Sequence, residues 1–274
     1  MTRLICPKCR TRMEISGGAY ICPNRHTYDI AKSGYVNMLP PSRGGVHGDD
    51  KLMVNARRDF LELGYYSPLR SALADAVREY VPDGGILCDA GCGEGYYTIE
   101  LARARSLYAL GIDLSRDALA LASKRFRAEK YTDAEFCAAS VYELPLADSS
   151  CDAVTSVFSP YADREFARIL NPGGILIRAI PLARHLWGLK GALYEKPYEN
   201  EVQPYEADGW TLLSSREVKY DFTLKSSAEI AALLAMTPYY YKTSPQDRER
   251  LFALPSLVTE AQFCVLVYRR KAAV

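Results

Sequence analysis

The feature that most constrains the fold is a regular alternation of strand-like and helical segments after residue 85. Apolar runs of strand length lie at 86–90, 107–113, 135–138, 153–158 and 175–180, with helical patterns between them at 96–104, 116–127 and 164–170. Parallel strands need crossover connections, so this alternation predicts an α/β domain with a doubly wound, mostly parallel sheet. Two further strands, at 211–222 and 262–269, bring the predicted sheet to seven, and we expect the last to form an antiparallel edge.

The other segments divide the chain of 274 residues into three parts. Residues 1–36 read as short strands and turns of a small module. Residues 37–80 read as a Pro- and Gly-rich linker followed by helices at 51–63 and 67–80. Residues 81–274 form the α/β domain, in which residues 182–210 are an expected insertion over the carboxyl edge of the sheet, with one more helix at 228–235.

The N-terminal module contains a metal-binding spacing, Cys6-x2-Cys9-x12-Cys22-x3-His26. Zinc prefers a tetrahedron of thiolate and imidazole ligands, and four protein ligands leave no open position, so the spacing predicts a structural zinc site. About 36 residues have too little core to fold alone, and metal binding would supply the folding free energy. The alternative is two Cys-Pro turns with reduced thiols. We expect His47, in the linker, to be an exposed loop residue.

Charge is unevenly distributed. Residues 1–45 carry seven Lys or Arg and two acidic residues, although the whole chain has a formal net charge of only +1. The basic module, including Arg10, Arg12 and Arg25, is expected to meet a polyanion. The alternative is a solvated basic face.

Nothing in the sequence resembles a secretory signal or a membrane span, because the first nine residues are polar and no apolar run reaches roughly 20 residues. We therefore expect a cytoplasmic protein with no membrane partner. The cysteines outside the zinc spacing are then small buried hydrophobes and not disulfides.

A glycine-rich loop follows the first predicted strand, with the sequence Asp89-Ala-Gly91-Cys-Gly93-Glu94-Gly95. Glycines let the backbone approach a ligand, and the following helix N-terminus favours an anionic group. A nicotinamide-binding domain is one reading. The pattern also resembles the first motif of class I S-adenosylmethionine (SAM)-dependent methyltransferases, in which this loop holds the methionine part of the cofactor.

Three later features favour the methyltransferase reading. Asp113 ends the next strand about 20 residues on, where a carboxylate can accept both ribose hydroxyls. Ser140 follows the third strand, where such enzymes place the adenine. The turn Leu170-Asn-Pro-Gly-Gly174, before the fifth strand, is habitual in this class. The expected fold is thus a Rossmann-like class I methyltransferase with a small zinc module.

Nearly the whole chain resembles one family, the RlmA-type guanine-N1 methyltransferases of 23S ribosomal RNA, which includes relatives that confer macrolide resistance. The resemblance is carried by the zinc spacing, the glycine loop and four further motifs: Asp29-Ile-Ala-Lys-Ser-Gly-Tyr-Val-Asn37, Gly64-Tyr-Tyr66-Ser-Pro-Leu-Arg70, Arg184-His-Leu-Trp-Gly-Leu-Lys-Gly191 and Met236-Thr-Pro238. Residues 158–161 (Phe-Ser-Pro-Tyr) depart from the Ala-Pro-like turn expected there.

The resemblance implies SAM as co-substrate, structural zinc on Cys6, Cys9, Cys22 and His26, a 23S rRNA hairpin as partner, and a homodimer. It also implies that Tyr66, Gly93, Glu94 and His185 contact the cofactor. Without the resemblance, Asp113 is a stronger candidate than His185 for binding the cofactor, because a lone histidine is more often structural.

The chemistry expected of such an enzyme is attack by guanine N1 on the sulfonium methyl, with the base unpaired or flipped because N1 lies on its Watson–Crick edge. Asp163 and Glu165 are candidates to take the N1 proton, although acidic residues there also suit a helix N-terminus. Tyr161 and Phe158 are candidates to stack on the guanine, although aromatics at strand ends are often core residues.

Two other functions remain open at this stage. A methyltransferase acting on a small molecule would not need the basic module. A non-catalytic RNA-binding protein would keep the cofactor pocket only as structure, and the intact glycine loop argues against it.

Overall fold

The computed structural model describes residues 2–40 and 48–271. The linker residues 41–47, and with them the expectation for His47, lie outside the described residues. The strands are β1 Glu14–Ser16, β2 Ala19–Ile21, β3 Thr27–Asp29, β4 Val36–Asn37, β5 Ile86–Ala90, β6 Tyr108–Asp113, β7 Ala134–Ala138, β8 Cys151–Val157, β9 Leu170–Pro181, β10 Trp210–Leu224 and β11 Leu257–Arg270. The helices are α1 Lys51–Glu62, α2 Ser67–Tyr80, α3 Tyr96–Ala104, α4 Arg116–Ala128, α5 Asp163–Ile169, α6 Trp187–Leu193, α7 Ser227–Ala235 and α8 Pro245–Phe252, with a 3₁₀ turn at Tyr240–Lys242.

The α/β architecture predicted from the alternation is confirmed. The large sheet has the order β10-β11-β9-β8-β5-β6-β7-β4, in which the strands from β9 to β4 run parallel. The central strand β5 is buried along nearly its whole length, as expected when helices cover both faces. The carboxyl ends of the parallel strands therefore meet at one edge, where ligands bind in such sheets.

The predicted count of seven strands is wrong by one. The two-residue strand β4 pairs in parallel with β7, and the Met38 amide continues the ladder to the Ala138 carbonyl at 3.0 Å. A pair of residues is too short to give a sequence signal. The final strand β11 is antiparallel to β9 as predicted, but the edge of the sheet is β10, which pairs with β11 along its whole length.

Side-chain caps define several helix starts. The Ser115 hydroxyl accepts the Ala118 amide at the start of α4, and the Ser226 hydroxyl accepts the Glu229 amide at the start of α7. These bonds satisfy amide groups that have no partner inside the helix. None of the helices in the described part of the chain is long and apolar enough to cross a membrane.

The N-terminal module, with its own three-stranded antiparallel sheet, shares a hydrophobic core with the α/β domain. Leu4, Met13 and Tyr20 are buried in one cluster with residues of the central strands. The main-chain amide of Ile5 donates to the Pro145 carbonyl at 2.9 Å. The predicted division of the chain into 1–36, 37–80 and 81–274 stays a prediction, because the side chains of the module and of the sheet pack into one hydrophobic core.

Glu135, on β7, is the polar anchor of this contact. Its carboxylate is buried and accepts hydrogen bonds from the hydroxyls of Tyr20 at 3.0 Å and Tyr108 at 2.5 Å, and from the Arg3 amide at 2.9 Å. The Thr2 hydroxyl is a further donor. A buried carboxylate is tolerated because this many donors replace its water shell.

We predict that Glu135→Ala lowers the free energy of unfolding by about 2–4 kcal/mol, because it leaves buried hydroxyl and amide donors without an acceptor. Urea denaturation followed by circular dichroism measures the change. The control is Glu129→Ala, which removes an exposed ion pair with Arg103 and should cost less than about 1 kcal/mol. Equal stability of the two variants would contradict the assignment.

Candidate metal centre and cofactor cavity

The four predicted metal ligands come together in the N-terminal module. The ligand atoms of Cys6, Cys9, Cys22 and His26 all lie within 4.8 Å of one another. The Cys9 and Cys22 sulfurs are 3.6 Å apart, and His26 Nδ1 lies 3.4 Å from the sulfurs of both Cys6 and Cys22. A tetrahedral zinc ion places neighbouring sulfur and nitrogen ligands roughly 3.5–3.8 Å apart. The donor set therefore fits structural zinc.

Two tight turns build this centre. Arg10 and Arg25 each adopt a left-handed backbone conformation, and their amides donate to the Cys6 and Cys22 carbonyls at 2.8 Å. The His26 amide also points at the Cys22 sulfur, at 3.3 Å. The hydroxyl of Thr11, more than any other group, lowers the pKa of the Cys9 thiol to about 5. Such donors favour the thiolate form that binds metal.

We predict that Cys22→Ala abolishes zinc binding and lowers the melting temperature by at least about 5 °C, since a lost ligand removes metal-coupled folding energy from a module packed into the core. Metal analysis by mass spectrometry and a thermal melt measure both effects. Cys264→Ala, at an equally buried cysteine in β11, is the control and should keep its zinc. Normal zinc content in Cys22→Ala would contradict the site.

A cavity of about 720 Å³ opens at the carboxyl edge of the large sheet. This volume lies in the range of small-molecule and cofactor sites. Among the predicted cofactor residues, those that line it are Tyr66, Gly91, Gly93, Glu94, Asp113, Ser140 and His185. The insertion predicted at 182–210 contributes His185, Leu186 and Asn200 to the lining of the cavity.

The glycine loop is held in place by the neighbouring strand β6. The amides of Gly91 and Cys92 donate to the Ile112 carbonyl, and the Gly93 amide donates to Asp113 Oδ2 at 2.9 Å. Gly91 has a φ of +84°, and a Cβ there would lie 2.4 Å from the Ser159 Cβ. The chain therefore needs glycine at this position for both backbone conformation and space.

The Asp113 carboxylate contacts the glycine loop and also lines the cavity. Its second oxygen accepts the Ser115 amide at 2.8 Å. Burial raises the pKa of Asp113, and the bonds from the Ser115 and Gly93 amides oppose that shift. Each carboxylate oxygen still has a lone pair for a ligand hydroxyl, as expected for a group that binds a ribose.

The structure places Asp89 and Gly95 behind the loop, outside the lining of the cavity. Asp89 is buried, and its oxygens accept the hydroxyls of Thr98 at 2.5 Å and Thr155 at 2.7 Å. Burial raises the pKa of Asp89 to about 6. Gly95 precedes α3 with a φ of +81°, and a Cβ there would touch Ala122 at 3.2 Å. Both residues support the loop from behind and neither lines the cavity, so their contact with the cofactor stays a prediction.

Glu94 gives the cavity a buried carboxylate with an unused oxygen. Its Oε1 has no hydrogen-bond partner among the described residues, and the nearest cation is Arg125 at 3.8 Å. Burial raises the pKa of Glu94. An unpartnered carboxylate oxygen in a cofactor cavity fits a cationic donor such as the ammonium group of the methionine part of SAM. The residues present therefore fit SAM at the loop, at Asp113 and at Glu94.

His185 and Tyr66 line the cavity next to each other. His185 Nδ1 accepts the Gln262 amide at 3.2 Å, so its Nε2 carries the proton and faces the Tyr66 hydroxyl at 3.4 Å. Burial lowers the pKa of His185 to about 3. The ring is therefore neutral at physiological pH and offers an N–H donor.

The structure does not bring the three candidate catalytic residues to the cavity. The Asp163 carboxylate accepts the hydroxyl of Tyr161 at 2.8 Å and the indole N–H of Trp210 at 2.5 Å. Glu165 accepts the Leu144 amide at 2.6 Å and pairs with Arg168. These two carboxylates therefore make contacts in the first turn of α5 and with neighbouring segments. This agrees with the alternative interpretation, in which they are charges at a helix N-terminus. Phe158, by contrast, lines the cavity and is 45% exposed.

Sequence reasoning missed Arg178 and Asn200, which also line the cavity. The Asn200 amide is fixed by the buried Lys190, whose Nζ donates to Asn200 Oδ1 at 2.7 Å, and by its own bond to the Leu182 carbonyl at 3.0 Å. A charged residue inside an otherwise apolar strand, Ile-Leu-Ile-Arg-Ala-Ile, was the signal available for Arg178. For Asn200 the sequence offered none.

The basic residues of the zinc module divide into two groups. Arg10 donates to the carbonyls of Leu144 and Leu146, so it docks the module onto the α/β domain. Arg12 and Arg25 are exposed and remain available to a polyanion.

Comparison with known proteins identifies the family. Residues 4–43 match the model described as RlmA, N-terminal, and residues 87–174 match a methyltransferase domain. The chain is 34% identical over 264 residues to the 23S rRNA (guanine(748)-N(1))-methyltransferase of Streptomyces fradiae, covering 93% of this chain and 91% of the relative. It is also 34% identical to YxjB of Bacillus subtilis, covering 90% and 89% of the two chains, whose name provisionally assigns it to the same class.

The chain belongs to the RlmA-type 23S rRNA (guanine-N1-)-methyltransferase family. The family predicted from its motifs is therefore confirmed, as is the class I methyltransferase fold with SAM and structural zinc. The fold is also seen in the YcgJ protein of Bacillus subtilis, with a TM-score of 0.51 at 14% identity over 74% of this chain and 99% of that one.

We predict that S-adenosylhomocysteine binds more weakly as the pH falls through the raised pKa of Glu94. The bound ammonium group favours the ionised carboxylate, so binding releases a proton below that pKa, and affinity rises with pH until Glu94 is ionised in the free protein. Glu94→Gln should bind S-adenosylhomocysteine about 10- to 100-fold more weakly at neutral pH, because a hydrogen bond to a charged group contributes about this much affinity. Its affinity should also depend less on pH.

Calorimetric titration across this pH range measures both effects. The pKa of Asp113 is also raised, so the difference between the two proteins isolates Glu94. Glu129→Gln is the control, because it removes the exposed partner of Arg103 at 2.8 Å and lies outside the lining of the cavity. Identical pH profiles for wild type and Glu94→Gln would show that Glu94 does not contact the ligand.

Proposed function

We propose that this chain transfers a methyl group from SAM to N1 of a guanine in 23S rRNA. The observation that carries the proposal is similarity along nearly the whole chain, zinc ribbon included, to a relative whose name states this reaction. When bound, SAM supplies a methyl group on a positively charged sulfur.

The protein's own part is to position the guanine. N1 lies on the Watson–Crick edge, so the base must be unpaired or extruded to reach the cavity. Phe158 has a left-handed backbone, with a φ of 55°, that leaves its ring exposed at the cavity. An exposed aromatic ring next to the sheet edge suits stacking with an extruded base.

The zinc module is well placed to hold the rest of the RNA. It docks on residues 144–146, a few positions after Ser140, Val141 and Tyr142 of the cavity wall. Exposed Arg12 and Arg25 would contact phosphates, which position RNA without reading its sequence. We propose a 23S rRNA hairpin as the substrate, acted on in the cytoplasm. A homodimer that shares one RNA cleft stays a prediction from the family resemblance.

We predict that zinc-replete protein forms 1-methylguanosine in 23S rRNA transcribed in vitro. Tritiated methyl transfer followed by mass analysis of the nucleosides measures the product. Gly91→Ala should lower the rate at least about 100-fold, because displacing the loop misplaces the bound reactants.

Gly191→Ala is the matched control, since a Cβ there meets nothing within 4 Å, and its rate should equal that of wild type. Methylation of N7 or of a ribose would contradict the proposal. Turnover of free metabolites, retained after residues 1–40 are deleted, would instead favour a small-molecule methyltransferase. Tight cofactor binding without transfer to any RNA would favour a non-catalytic protein.

A further inference from the structure

Arg178 brings a positive charge into the cavity without a negative partner. The residue lies in β9 and is only 9% exposed. Its Nε is buried with no hydrogen-bond partner, and no carboxylate of the described residues lies within 4.0 Å of the guanidinium. A buried charge without a counter-ion is costly, so it usually marks the place of an anionic ligand.

The groups around the guanidinium are aromatic and neutral. It lies 4.0 Å from the centre of the Tyr161 ring and close to the Tyr268 hydroxyl. Burial raises the pKa of both tyrosines, so both stay protonated. Ser156 faces Arg178 from β8. The Asp163 carboxylate, which accepts the Tyr161 hydroxyl, is also bonded to the indole N–H of Trp210.

The other ionisable groups of the cavity lie on different walls. Asp113, Glu94 and Asp49 belong to the glycine-loop side, and Asp49 is paired with Arg57. His185 is neutral. The carboxylate of the methionine part of SAM is expected at the glycine loop and the N-terminus of α3, so we expect the anion at Arg178 to come from the substrate.

Guanine methylation at N1 creates such an anion. N1 carries a proton at neutral pH, and its loss leaves a negative charge shared between N1 and the neighbouring O6. We propose that Arg178 is a catalytic residue that donates hydrogen bonds to O6 of the target guanine, so that the N1 proton is lost to water without a carboxylate base. This inference rests on the proposed function.

The N1–H bond breaks and the proton passes to water. The freed N1 electron pair then forms the bond to the methyl carbon as the carbon–sulfur bond breaks, and that bond's electrons remain on sulfur. The anionic base and the cationic donor both end neutral. Arg178 acts like an oxyanion-hole donor, whose charge is already in place before the reaction.

The test is the pH dependence of the single-turnover rate at saturating SAM. In the wild type the rate should rise with pH and then level off. The apparent pKa of this rise should be lower than the pKa of N1 in free guanosine. Arg178→Met should lower the rate at neutral pH by about 100- to 1000-fold, the usual loss for one such donor. Its apparent pKa should move up, so the defect shrinks as the pH rises. Arg178→Lys, which keeps the charge, should lie between the two.

The control is Arg216→Met, at an exposed arginine of β10, with no expected change. Affinity for S-adenosylhomocysteine should be equal in all four proteins. A wild-type apparent pKa at or above that of free guanosine would overturn the inference without any variant. A defect in Arg178→Met that is the same at every pH would overturn it as well. If the wild type forms no 1-methylguanosine at all, the proposed function itself has failed.

Discussion

The Asp113 carboxylate is the contact on which the cavity depends. It ends β6 and binds the amides of Gly93 and Ser115, so it fixes the glycine loop and the start of α4 together. Asp89 supports the same loop from behind through two threonine hydroxyls. The parallel sheet brings these strand ends to one edge, and Gly91 allows the turn to pass against Ser159. A bound cofactor would therefore meet a wall whose amides and carboxylates are already oriented.

The zinc module belongs to the same packed structure. The Glu135 carboxylate, on the large sheet, accepts hydrogen bonds from residues of the module. The strand β4, which follows the module in the chain, pairs with β7 and so extends the large sheet. Metal binding and folding of the large domain are consequently linked through shared side chains. This arrangement holds Arg12 and Arg25 in a fixed position relative to the cavity, which a flexibly tethered domain would not do.

Much of this was predictable, for physical reasons that differ between elements. The parallel strands carry long apolar runs, and the glycine loop and the Cys-x2-Cys spacing impose strong local constraints, so the fold and the metal cluster followed from the sequence. The strand Val36–Asn37 was not predictable, because two residues carry no periodicity and pair only once β7 exists. Asn200 joins the cavity through tertiary contacts that no local pattern encodes, whereas the charge of Arg178 inside an apolar strand was a local signal. Asp163 and Glu165 illustrate a different difficulty, because acidic residues at a helix start look the same in the sequence whether or not they face a site.

We expect the cofactor to bind on the glycine loop that Asp113 holds in place. Hydrogen–deuterium exchange with and without S-adenosylhomocysteine tests it most directly, because bound ligand slows the exchange of the backbone it covers. We predict slower exchange at residues 91–97, 111–115 and 139–142, and unchanged exchange at 161–165. Slower exchange confined to other segments, or none anywhere, would contradict it.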